Sequence, residues 1–354
     1  MALTPTKKGC LKHFFVNLRN KNILQGEKVR IMQEEIVQKP VKFRLFDRKH
    51  FALVKGISIL IVIFAHLGSC YFNFHYLSPA TGIATAVFLL CSGYGISESY
   101  KYRGSLRHYW ENKIIRVWAP SLVKLLLVHG ILLKSFFGWM DYYPLALYGW
   151  FLNLLFAEYL VFWLLFKYVD DRKLQMLGLF GTSLLAFLII RDLPIAEGVF
   201  CFPLGVTASQ YHWKKKIRAL NNKQRAYICA ALVAVAGCAF VLRNMFDQYL
   251  LFNAVWMMMK VSLAILLILG VYFLRRIPLW MAFVPVGTIS YALYLTYVEV
   301  LALLSNRRDW KAVVVVLGIL FIVATIFHFG CLLIERLNGK TRTRNQVHLR
   351  GSMR

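Results

Sequence analysis

Acidic side chains are scarce. The chain carries 16 Asp and Glu against 43 Lys and Arg, a formal net charge of +27, yet charged residues make up only 17% of it. A basic excess of this size is the footprint of a nucleic-acid binder when it is gathered on one polar domain. Here the basic residues stand between long apolar runs, so a nucleic-acid partner is not expected. The seven cysteines, Cys10, Cys70, Cys91, Cys201, Cys229, Cys238 and Cys331, are odd in number, and no pair has metal-ligand spacing. They imply neither a disulfide framework nor a metal site; most read as small core residues within apolar segments. No short apolar block follows Lys7 and Lys8, so a signal peptide is not expected and the first span acts as its own insertion signal. No period of 20–50 residues recurs, which excludes a repeat architecture.

What is abundant is apolar. Hydrophobic residues make up 59% of the chain, against about 45–50% in soluble domains. About ten runs approach the roughly 20 residues that a helical span needs: 52–72, 81–99, 114–134, 145–167, 174–190, 194–211, 226–242, 253–274, 279–304 and 311–334. The fifth and sixth are the weakest, parted only by Arg191, Asp192, Leu193 and Pro194. With the amino terminus in the cytoplasm, alternate loops on that side collect Lys101, Arg103, Arg107, Lys113, Lys173, Lys214, Lys215, Lys216, Arg275 and Arg276, whereas the loop from Asn73 to Ala80 has no Lys or Arg. That asymmetry fits the positive-inside rule.

The expected fold is an all-α integral membrane protein of about ten transmembrane helices with both termini cytoplasmic. It comprises a basic segment 1–51, a membrane domain 52–336 and a basic tail 337–354. In the first segment Leu11, Phe14, Phe15 and Leu18 recur at helical spacing opposite Lys12, His13, Asn17 and Arg19. Either a helix lying on an anionic membrane surface or a solvated basic tail accounts for them.

Ionisable groups fall inside these runs or at their edges: Lys55, His66, Glu98, Lys124, Glu158, Glu197, Lys260, Glu299 and His328. Each is costly in lipid and must face a cavity or a partner. For most of them a satisfied interhelical contact is the expected role. The organising stretch is Lys55 to His66, a strongly apolar run with a cation at its start and a histidine about three turns further on. By itself this constellation fits a transporter or flippase of a lipid-linked sugar as well as an enzyme.

Several motifs favour the enzyme. The run Lys55-Gly56-Ile57-Ser58-Ile59-Leu60-Ile61-Val62-Ile63-Phe64-Ala65-His66 resembles the first span of the acyltransferase-3 family, membrane O-acyltransferases that modify sugars. Phe88-Leu89-Leu90-Cys91-Ser92-Gly93-Tyr94-Gly95-Ile96 is similar to the family's Phe-x-Leu-Ser-Gly-Phe-x-Ile. Lys113-Ile114-Ile115-Arg116-Val117-Trp118-Ala119-Pro120 matches its paired basic residues before an apolar helix start. Trp150-Phe151-Leu152 and Ile289-Ser290-Tyr291-Ala292-Leu293-Tyr294-Leu295 match two further segments, and Glu335 stands where the family often has a glutamate. The resemblance covers about residues 44–336, in order. Two departures stand out. Lys55 and Lys113 replace commoner arginines, and Thr296-Tyr297 follows the last motif where many members have Trp-His.

The resemblance implies an acyl-coenzyme A co-substrate, most often acetyl-CoA, with no bound cofactor, a carbohydrate acceptor at the cell surface, and a plasma-membrane location in a bacterium. It makes His66 the catalytic group, as general base or covalent acyl carrier, with Lys55 at the inner end of the same span. Arg107, Lys113 and Arg116 would meet the donor phosphates, and Ser92, Gly93 and Tyr94 would line the donor arm. Trp150, Glu158, Ser290, Tyr291 and Tyr294 are candidates for acceptor binding or oxyanion stabilisation, with aromatic packing the competing role for the tyrosines. An imidazole suits the work because its ordinary pKa near 6.5 lets it take and return a proton near neutrality.

Overall fold

A computed structural model of the chain describes residues 44–72, 74, 78–124, 149–190, 198–245, 249–273, 281–304 and 309–351. The expected amphipathic helix around Leu11 to Leu18 lies outside the described residues. Among those described, all regular structure is helical, and no strand occurs.

In chain order the α-helices are α1 (Arg48–Tyr71), α2 (Ser78–Arg103), α3 (Tyr109–Lys113), α4 (Gly149–Tyr168), α5 (Arg172–Ile189), α6 (Cys201–Gln210), α7 (Trp213–Ala219), α8 (Asn222–Leu242), α9 (Tyr249–Phe273), α10 (Phe283–Thr288), α11 (Ser290–Leu301) and α12 (Trp310–Gly351). Seven of them, α1, α2, α4, α5, α8, α9 and α12, are long and apolar enough to cross a membrane. They fall on seven of the ten expected runs. The run 114–134 is described only as far as Lys124, and the run 194–211 is represented by the ten residues of α6. The run 279–304 is broken into α10, α11 and a 3-10 turn, Ala302–Leu304.

Local chemistry sets the ends. Asp47 caps α1 by accepting the His50 N–H at 2.8 Å, and Asp171 caps α5 through the Lys173 N–H at 2.7 Å. Asn221 and Gln224 form a reciprocal capping box at the start of α8, leaving two orphan donors satisfied. The break between α10 and α11 is held by the Ser290 hydroxyl, which donates to the Gly287 carbonyl at 2.9 Å.

Lipid tails are as apolar as leucine, so helices in a bilayer associate by close packing rather than by escape from water. Two glycine pairs permit it. A Cβ at Gly93 of α2 would run into the Phe202 carbonyl of α6, and one at Gly205 of α6 into the Leu90 carbonyl of α2. A Cβ at Gly56 of α1 would meet the Phe283 carbonyl, and one at Gly287 of α10 the Ala52 carbonyl. The core beside these contacts joins α1, α11 and α12 through Ile59, Ile63, Leu293, Leu301 and Leu320. His66 stands at its edge.

Candidate functional site

The stretch after α3 does not continue as an α-helix. Residues Ile114–Trp118 form a π-helical turn, in which the Ala119 N–H donates to the Ile114 carbonyl. Such turns are rare and concentrate at functional sites. The Tyr291 hydroxyl of α11 donates to the Val117 carbonyl at 2.6 Å, and Ser121 donates to the same carbonyl at 3.1 Å. The turn presents Lys113 and Arg116 to a cavity of about 310 Å³.

Five cations line this cavity: Lys55 of α1, Arg103 of α2, Arg107 in the α2–α3 link, Lys113 and Arg116. Ser92 and Cys91 of α2 and Tyr159 of α4 also face it. The Lys113 Nζ stands over the Tyr159 ring, 3.7 Å from its centroid. The Tyr159 hydroxyl lies 2.6 Å from Ser92 Oγ. Lys113 precedes the apolar run 114–134; burial, with Lys55, Arg116 and Arg103 nearby, pulls its ammonium down to about 7. Arg116, on the same wall, is paired, with Nε 2.7 Å from Glu335 Oε1 of α12 and an ion pair from Nη2 to the same oxygen.

His66 lies on α1, eleven residues after Lys55. Eleven residues make about three full helical turns, so both side chains leave the same face of α1, roughly 16 Å apart along its axis. The ring is fixed at both nitrogens. Nδ1 lies 2.9 Å from the Val62 carbonyl, which can only accept, so Nδ1 carries the proton and Nε2 the lone pair. The Tyr297 hydroxyl is 3.4 Å from Nε2, and the two rings meet edge to face at 5.1 Å. Tyr294 continues the cluster, 6.1 Å from Tyr297 and 5.1 Å from Phe151 between ring centroids.

A family model described as an acyltransferase domain matches residues 49–334. The chain belongs to the acyltransferase-3 family. It is accordingly a multi-pass membrane acyltransferase. No curated protein and no solved structure matches the chain.

The structure places each expected site residue as follows. Lys55, Ser92, Arg107, Lys113 and Arg116 come together around one cavity. Gly93 and Tyr94 do not join them. Gly93 is pressed against α6, and Tyr94 is buried against Phe46 and Phe51, at 4.5 and 5.3 Å between centroids. The reason is helical: neighbours of Ser92 along α2 leave the helix on other faces. Tyr291 spends its hydroxyl on Val117, and Ser290 is buried on Gly287. Glu158 is buried on the far side of α4, beside Ser183 of α5. The side chain of Trp150 lies outside the described residues.

The other intramembrane charges have local partners. Lys124 pairs with Glu299, and Glu98 with Lys101 and Ser209. Lys260 lies against Gly82 and 5.0 Å from the Trp256 centroid. Glu197 lies outside the described residues. Among those described, no cluster of His, Cys, Asp and Glu suits a metal ion.

Two residues at the site are absent from the site residues expected from the sequence. Tyr297 shares a helical stripe with Ser290, Tyr294 and Leu301, and it sits at the departure from the family pattern; both signals were present. Tyr159 carried no signal beyond its place next to Glu158.

Proposed function

We propose that the chain moves an acyl group, acetyl in the simplest case, from cytoplasmic acyl-coenzyme A to a hydroxyl of a surface polysaccharide or lipid-linked glycan. In this reading ten spans place both termini and the basic loops in the cytoplasm of a bacterial cell, where the anionic donor is found. One observation carries the assignment: a cavity lined by five cations opens beside Lys55, and His66 projects from the same face of α1 three turns deeper.

Phosphates of the donor lie against Arg107, Lys113 and Arg103, and the thioester arm follows the Lys55–His66 face of α1. His66 Nε2 takes the proton of the acceptor hydroxyl as its oxygen attacks the thioester carbonyl. The resulting oxyanion accepts a hydrogen bond from Tyr297, released from Nε2 by the incoming hydroxyl. Collapse breaks the carbon–sulfur bond, and the imidazolium returns its proton to the departing thiolate. Ester and free coenzyme A are the products, so atoms and charge balance. The Val62 carbonyl supports this role, because it holds the Nδ1 proton and keeps the lone pair on Nε2.

The test is direct. Membranes containing the protein are incubated with acyl-labelled coenzyme A and a glycan acceptor, and free coenzyme A is followed together with label in the glycan. Free coenzyme A appearing together with label in the glycan supports transfer. Passage of glycan across the membrane without thiol release overturns it in favour of a flippase.

A further inference from the structure

A second cavity, of about 360 Å³, lies between α9 and α8 on one side and α2 and α6 on the other, with α7 across one end. Its wall is formed by side chains such as Leu90, Leu204, Ala208, Leu232, Ile265 and Phe273, and Lys216 is its one charged liner. It does not share a residue with the cavity that holds Lys113. Its size is that of a small-molecule pocket. An apolar space of this kind forfeits dispersion contacts unless an apolar group fills it, and the fluid that surrounds these helices consists of acyl chains.

The rim adds a charge. Helix α7 reads Trp213-Lys214-Lys215-Lys216-Ile217-Arg218-Ala219; Trp213 and Ile217 face the cavity, while Lys215, Lys216 and Arg218 are exposed. Arg225 of α8 stands beside them. Its guanidinium lies 5.6 Å from the centroid of the Phe273 ring, and Nη2 reaches the Arg218 carbonyl at 3.4 Å. Its Nε is buried and has no hydrogen-bond partner among the described residues. The half-buried guanidinium is suited to a phosphate oxygen, and a basic cluster on a short amphipathic helix matches an anionic leaflet.

We infer that this cavity is a binding site for an anionic glycerophospholipid, with one acyl chain between α8, α9 and α6 and the phosphodiester on Arg225 and Lys216. The site is separate from the acyl-transfer centre, and it stands whether or not the proposed acceptor is correct.

The test uses the full chain in phosphatidylcholine nanodiscs doped with phosphatidylglycerol bearing a diazirine in one acyl chain. After irradiation, peptide mapping is expected to find label on Leu204, Ala208, Leu232 or Ile265. Excess unlabelled phosphatidylglycerol is expected to suppress that label at least about tenfold, while excess phosphatidylcholine and inorganic phosphate leave it unchanged. Arg225→Gln with Lys216→Gln is expected to cause a similar loss, and Ala208→Trp, which fills the cavity, to abolish labelling there. Equal competition by phosphatidylcholine, competition by inorganic phosphate, or label confined to other helices would overturn the inference. The competition arms use the unaltered protein, so they remain decisive if a variant fails to fold.

Discussion

The Tyr297 hydroxyl faces His66 Nε2 at 3.4 Å, across an edge-to-face contact of the two rings. The histidine is thus gripped by a backbone carbonyl at one nitrogen and by a phenol at the other. At this position the chain keeps a hydrogen-bond donor but no second base.

Replacing Tyr297 by Phe keeps the ring packing and deletes the hydroxyl. We expect kcat to fall about 10²-fold, the usual scale for loss of one oxyanion donor, with KM for the acyl donor nearly unchanged. Tyr297→His is expected to restore most of kcat. Steady-state kinetics on both variants provide the check, and a rise in donor KM alone would count against the role.

His66→Ala is expected to lower acyl transfer by about 10²- to 10⁴-fold, the range for loss of a positioned acid–base group, while the amount of protein in the membrane stays the same. Labelled ester formation set against an immunoblot measures both.

Donor affinity should depend on pH through Lys113. With its ammonium pulled down to about 7, the residue is cationic below that value and neutral above it. A bound phosphate favours the cation, so donor binding takes up a proton. KM for the donor is therefore expected to rise above pH 7, by at most about tenfold per unit. Lys113→Gln is expected to show a raised KM with that pH dependence removed.

Arg116 and Glu335 test the wall of the same cavity. Arg116→Ala is expected to raise donor KM several-fold. Glu335→Gln releases the guanidinium from its carboxylate partner and is expected to lower donor KM a few-fold, since an exposed ion pair contributes only about 0–1 kcal/mol. Isothermal titration with coenzyme A reads both without requiring turnover.

Glycines of α2 separate packing from helix propensity. Gly93→Val forces a side chain into the backbone of α6, and overpacking of that kind costs about 1–3 kcal/mol or more; lower Tm and poor recovery from membranes are expected. Gly95 has open space where a Cβ would lie, so Gly95→Ala is expected to leave Tm equal or slightly raised, as alanine is the better helix former by about 1 kcal/mol.

The helices were legible because their signal is local. Seven apolar runs of sufficient length became seven helices, and Asp47, Asp171 and Asn221 cap helices in the ordinary way. The break near Ile289 was hidden, because Gly287 is read only through its contact with the Ala52 backbone more than 200 residues away. The same holds for the site. The spacing of Lys55 and His66 fixes a shared face from sequence alone. Gly93 and Tyr94 looked like neighbours of Ser92 along the chain, but a helix sends consecutive side chains in different directions, and of these three only Ser92 reaches the cavity. Tyr291 and Tyr294, one turn apart, part company because Tyr291 donates to the Val117 carbonyl, a partner 174 residues away in the chain.

That carbonyl belongs to the π-helical turn Ile114–Trp118, and the turn amounts to one residue more than a regular helix would hold. Deleting any one residue between Ile114 and Trp118 would restore regular winding at no local cost. Because the extra residue is absorbed within a single turn, the helix beyond it would stay in phase, with Ser121 and Lys124 still facing Tyr291 and Glu299. What the extra residue alters is therefore local: it reshapes the wall that carries Lys113 and Arg116 and leaves the path of the helix beyond it alone.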